Sequence, residues 1–205
     1  YIIDLYSKGN ISKALDSIET LITEYPNESL LHNISGVCYK ATGQLDSALN
    51  SFKKAVTIKP DFADAHYNLG LTLQELNQID AAIKSYEDTL VIQINYAKAH
   101  NNLGTIYREI GKMDKAVQCY EKAIGIQPKF AEAHNNLGNA LNELDDFDYA
   151  IKSYEQALIA KPDYFEVHNN LGNILHELGN YEDAIKYYDQ AISINPNYAE
   201  AHNNL

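Results

Sequence analysis

The chain has 205 residues, a formal charge of -12 and 45% hydrophobic residues. So acidic a balance leaves little to neutralise a run of phosphates, which argues against a nucleic-acid partner. No apolar stretch approaches the ~20 residues that span a bilayer, so membrane insertion is not expected.

Taken in chain order, the sequence is a tandem array with a period of 34 residues, seen in Gly36, Gly70, Gly104, Gly138 and Gly172. Ala48, Ala82, Ala116, Ala150 and Ala184 keep the same period, as do Phe52, Tyr86, Tyr120, Tyr154 and Tyr188. All five prolines fall on one phase, with Ile94 filling the remaining place. Residues 1–28 form a partial repeat. Full repeats follow at 29–62, 63–96, 97–130, 131–164 and 165–198, and 199–205 open another. A fixed period of this size marks a stacked-repeat solenoid, so 1–205 reads as a single array. Both ends fall inside a repeat, so the chain is expected to be an excerpt of a longer protein.

The repeat at 131–164 shows how each unit is built. Residues 131–144 are apolar at 133, 137, 140, 141 and 144, a helical spacing. Asp145 stands where other repeats have Gly43, Asn77, Gly111 and Gly179, residues that tolerate a left-handed helix terminus. Residues 147–160 give a second helix, with Asp148 in its first turn where acid suits the helix dipole. Pro162 ends it. The expected unit is helix, tight turn, helix, turn, and the class is all-α.

These residues resemble the tetratricopeptide repeat family along essentially the whole chain. The match rests on Leu69-Gly70, Leu103-Gly104, Leu137-Gly138 and Leu171-Gly172, on the large residue three places later, and on the Ala, Tyr/Phe and Pro phases. The resemblance implies a right-handed superhelix whose concave groove is lined by the first helix of each repeat.

Six of the seven histidines, from His32 to His202, share one phase. On a helical wheel of 100° per residue, His134 falls between Gly138 and Leu141, which face the second helix. A zinc pair needs a second ligand one turn on, and there the sequence always has Gly. Histidines of adjacent repeats lie about 10 Å apart, too far to share a metal. The imidazole is therefore expected to pack, with a ring nitrogen on a backbone partner. Cys38 and Cys119 occupy different phases and read as small buried residues. They fit a reduced compartment such as the cytoplasm.

Function is sought on the opposite stripe. Asn68, Asn102, Asn136, Asn170 and Asn204 share a phase there, and Asn139 and Asn173 add a second row in two repeats. Glu132, Asn136, Asn139 and Glu143 fall within about 60° of one another on the wheel. An amide carries both a donor and an acceptor, so a row of amides can pair with an extended peptide backbone whatever its side chains. The row is similar to the asparagine ladder in the superhelix of O-linked N-acetylglucosamine transferases. A second reading stays open: the row bonds to the neighbouring repeat and does nothing else. The first asparagine of each pair (Asn101, Asn135, Asn169) is expected nearer the groove's edge.

Acids on the same stripe, Glu132, Glu166, Glu143 and Glu177 among them, favour neutral or basic ligands. The lysines and arginines of a family carboxylate clamp are missing from their phases. No phosphate loop, dinucleotide fingerprint, zinc-protease or nucleophile-elbow motif occurs, so no cofactor and no catalysis are expected within these residues. The reading is a protein-interaction scaffold that binds an extended peptide. Two alternatives are a substrate-presenting arm of a larger transferase, and a structural module that self-associates end to end through uncapped repeats.

Overall fold

The computed structural model describes residues 2–205, with side chains from Leu5 onward; Tyr1, where the partial first repeat begins, lies outside the described residues. Among the described residues every regular element is a helix. By contact the chain falls into two compact units, 1–99 and 100–205.

The first unit holds α1 (Ile2–Ser7), α2 (Ile11–Glu24), α3 (Ser29–Ala41), α4 (Leu45–Ile58), α5 (Ala63–Glu75) and α6 (Ile79–Ile92). The unit boundary falls within α7 (Ala97–Glu109). The second unit continues with α8 (Met113–Ile126), α9 (Ala131–Asn142), α10 (Phe147–Ala160), α11 (Phe165–Glu177), α12 (Tyr181–Ile194) and α13 (Ala199–Asn204). Within each unit, antiparallel hairpins such as α3/α4, α5/α6, α9/α10 and α11/α12 stack on their sequence neighbours.

The turn chemistry follows from the sequence. Asp145 and Asn77 take φ of 58° and 56°, doing the work that Gly43, Gly111 and Gly179 do at 74°, 73° and 79°. The chain can then turn back on α9: the Asp146 N–H reaches the Leu141 carbonyl at 2.9 Å, and the Asp145 N–H reaches that of Asn142 at 3.0 Å. Asp148 sits in the first turn of α10, and α10 spans the same residues as the apolar pattern that predicts it. α9 stops two residues short of its pattern, at Asn142 rather than at 144, because the turn claims the carbonyls of Leu141 and Asn142.

Inside each of the five full repeats an aromatic ring fills the space a glycine leaves. A β-carbon on Gly70 would stand 2.7 Å from the ring of Tyr86, and one on Gly36 2.6 Å from that of Phe52. The rings are fully buried, and so are the small residues four before and three after each, alanine everywhere but at Thr89. In the second unit Tyr154, Ala150 and Ala157 of α10 pack with Val167, Leu171 and Ile174 of α11, which ties one hairpin to the next.

Candidate functional site

The shared histidine phase is structural. His134 Nε2 donates to the Pro128 carbonyl at 2.9 Å, and His32, His66, His168 and His202 make the same bond to Pro26, Pro60, Pro162 and Pro196 at 2.9–3.0 Å. A carbonyl can only accept, so Nε2 must carry the hydrogen. The histidine thus pins the loop between hairpins onto the helix that follows. Among the described residues no group of three or more His, Cys, Asp or Glu side chains is placed to hold a metal.

The paired asparagines take different jobs from those the helical wheel assigns. Asn101, Asn135 and Asn169 are buried, at 0%, 8% and 2% exposure, and are not groove-edge residues. The wheel fails here because it considers one hairpin. These side chains point at a third neighbour, the first helix of the next repeat. Asn136 Nδ2 donates to Asn101 Oδ1 at 3.0 Å, Asn170 to Asn135 at 3.3 Å, and Asn204 to Asn169 at 3.1 Å. In the first unit Asn68 donates to Asn33 at 3.1 Å. Asn102 accepts from Asn101 at 3.4 Å.

The second row completes the network. Asn170 Nδ2 also donates to Asn139 Oδ1 at 3.1 Å, and Asn204 Nδ2 to Asn173 Oδ1 at 2.9 Å. Those two oxygens each take a further hydrogen from behind: Tyr154 donates to Asn139 at 2.6 Å and Tyr188 to Asn173 at 3.0 Å. Burial pushes both phenols above their ordinary range, so they stay protonated and donate. Arg108 nearby offsets this only in part for Tyr154. The result is an oriented amide pair. Asn170 has spent both hydrogens and keeps its Oδ1, while Asn139 has filled its Oδ1 and keeps its Nδ2 hydrogens.

Several acids of the stripe already have partners. Glu132 accepts from Asn101 Nδ2 at 3.0 Å, and Asp64 accepts from the Tyr96 hydroxyl at 2.9 Å. Glu143 lies 3.7 Å from Arg108 Nε, and Glu75 pairs with Lys40. Glu166 is half-buried, with Oε2 shielded and no donor on it, and Glu177 is exposed.

A polar cleft of about 270 Å³ opens beside the Asn139–Asn170 pair, lined by those two together with Arg108, Asn142, Glu143 and Asn173. Arg108 is the chain's single arginine, a signal the sequence offered without its context. A larger cleft of about 440 Å³, reaching from Ile151 to Gln190, contains none of the asparagines.

Comparison with known proteins bears on the fold. Family models described as tetratricopeptide repeat and TPR repeat match residues 165–198, and residues 36–77, 104–145 and 138–179, respectively. No curated protein matches the chain. Among solved structures, PilW, a widely conserved type IV pilus biogenesis factor, aligns with a TM-score of 0.87 at 21% identity, over 98% of this chain and 94% of its own. PilF of Pseudomonas aeruginosa aligns at 0.77 and 23% identity, covering 84% of this chain and 79% of its own. YrrB, a TPR protein with an unusual peptide-binding site, aligns at 0.73 and 20% identity over 92% and 97%. At these identities the likeness concerns the fold.

Proposed function

The chain belongs to the tetratricopeptide repeat family, whose members serve as protein-interaction scaffolds, and from that premise we propose that it holds an extended peptide by its backbone along the face shared by α9, α11 and α13. The single observation that carries this reading is the oriented amide pair. Asn170 offers an acceptor and Asn139 a donor, side by side, which is the complement of one N–H and one C=O of a peptide. Asn204 and Asn173 repeat the arrangement one hairpin later. Asn136 keeps its Oδ1 and one Nδ2 hydrogen, because Thr105 stands where a second-row asparagine would take that hydrogen. In the first unit Asn68 is tied in the same way to Asn33, with Val37 at the second-row place.

The spacing suits an extended chain. Neighbouring first helices pack about 10 Å apart, and an extended chain advances about 3.3 Å per residue, so a rung meets every third residue. Glu166 and Glu177 tilt the face towards neutral or basic peptides, while Glu132 and Glu143 are partly answered from within. The amide row is the feature that resembles the transferase superhelices. The peptide-binding site named for YrrB lends general support.

A peptide-side test avoids disturbing the protein. Backbone N-methylation removes one donor at a time from a captured library peptide, with affinity read by fluorescence anisotropy. The reading expects a loss of about tenfold at every third position and little change between. A flat N-methyl scan, or no captured peptide, overturns it.

A further inference from the structure

The cleft beside the Asn139–Asn170 pair has a polarity that selects among side chains. Its one cation, Arg108, stands 3.7 Å from the carboxylate of Glu143. That distance is a Coulomb contact and falls short of a hydrogen bond. The guanidinium therefore keeps donors to give, and the carboxylate keeps acceptor capacity, while the two together are close to neutral. Asn139 adds an amide Nδ2 whose hydrogens no described residue takes. Deeper in, Asn142 Oδ1 is buried and no donor reaches it. A buried acceptor of this kind normally has a partner, so the cleft is short of one hydrogen donor. Its volume of about 270 Å³ is room for roughly nine waters, or for one long side chain in their place.

We propose that this cleft is a specificity pocket for the primary amide of a glutamine or asparagine side chain on the bound peptide. The inference rests on the peptide-holding reading above and names what the peptide must carry. The amide oxygen accepts from Arg108 or from Asn139 Nδ2, and the amide hydrogens meet Asn142 Oδ1 and the Glu143 carboxylate. A carboxylate guest would face Glu143 and the bare Asn142 oxygen. A lysine guest would face Arg108. Only a group with a donor and an acceptor on one carbon satisfies both walls, and the flanking Asn139–Asn170 pair sets its distance from the peptide backbone.

The test uses the 205-residue chain and a neutral host peptide, taken from those the chain captures, with one variable position. Guests of glutamine, glutamate, lysine and alanine are compared by anisotropy. Glutamine is expected to bind about tenfold tighter than alanine, as two net hydrogen bonds would give, with glutamate and lysine below glutamine. Asn142→Leu should erase the glutamine preference, so that the glutamine and alanine guests bind alike. Asn142→Ser, with helicity checked by circular dichroism, repeats the test should the leucine variant fail to fold. Equal binding of all guests overturns the pocket and leaves the backbone-holding reading standing. A preference for glutamate or for lysine also overturns it, by showing that Arg108 or Glu143 acts alone. Failure of every guest to bind overturns both readings together.

Discussion

A β-carbon added to Gly138 would stand 2.5 Å from Cε1 of Tyr154. The glycine is thus a socket for the ring, and the same socket recurs in each of the five full repeats. Gly138→Ala forces the buried ring off its site, an overpacking expected to cost about 2 kcal/mol. Gly125, also in a helix, has nothing within 4 Å of its added β-carbon. Gly125→Ala should instead stabilise the protein by about 0.5–1 kcal/mol through helix propensity. Urea unfolding of the two variants checks the contrast; equal effects would remove the socket argument.

The histidine bond predicts a tautomer. His134 and His168 each hold Nε2 against a proline carbonyl, so both should be the Nε2–H form at neutral pH. Nitrogen NMR distinguishes the two ring nitrogens directly. His134→Leu keeps the volume but leaves the Pro128 carbonyl without its donor, and should cost about 1–2 kcal/mol. Finding the Nδ1–H form would mean the loops are held some other way.

Alkaline pH should loosen the stack. Burial keeps the Tyr154 phenol, 1% exposed, far above its ordinary pKa. Burial also raises Tyr96 and Tyr198, and the carboxylates of Asp64 and Glu200 that accept from their hydroxyls push them further. Above a pH of about 10 the unfolded chain loses these protons while the folded chain keeps them. The folded state then binds more protons, so stability is whole below that pH and falls as pH rises. For Tyr154 the slope approaches about 1.4 kcal/mol per pH unit. Unfolding free energy measured in urea should fall across this range, and Tyr154→Phe should flatten the fall. An equal slope in the native chain and the variant would contradict the argument.

The hairpins were legible in the sequence because each of their determinants is local: the left-handed turn at Asp145, the proline after α10, and the small residues opposite a ring. The pairing of Tyr154 with Asn139 was on the page but mute. Where the ring is Phe52, the residue fifteen places earlier is Val37; where it is Tyr154 or Tyr188, that residue is Asn139 or Asn173, which takes the hydroxyl. Such a coupling means nothing until the hairpin brings the two together. Which asparagine of a pair is buried was misjudged for a related reason: burial there is decided by the next repeat, and a wheel drawn for one helix contains no next repeat.

That distinction can be measured. Asn101 is wholly buried; its Oδ1 takes a hydrogen from Asn136 and its Nδ2 gives one to Glu132. Asn101→Ala strips partners from both and opens a small cavity, for an expected loss of about 2–4 kcal/mol. Asn136 is half-buried and water can replace what it loses, so Asn136→Ala should cost nearer 1 kcal/mol. The double variant should cost less than the sum, because the Asn136–Asn101 bond is lost only once. Strict additivity in chemical denaturation would mean that the bond contributes nothing. A larger loss at Asn136 than at Asn101 would mean that the half-buried row, and not the buried one, holds repeat to repeat, leaving the former little freedom to hold a peptide.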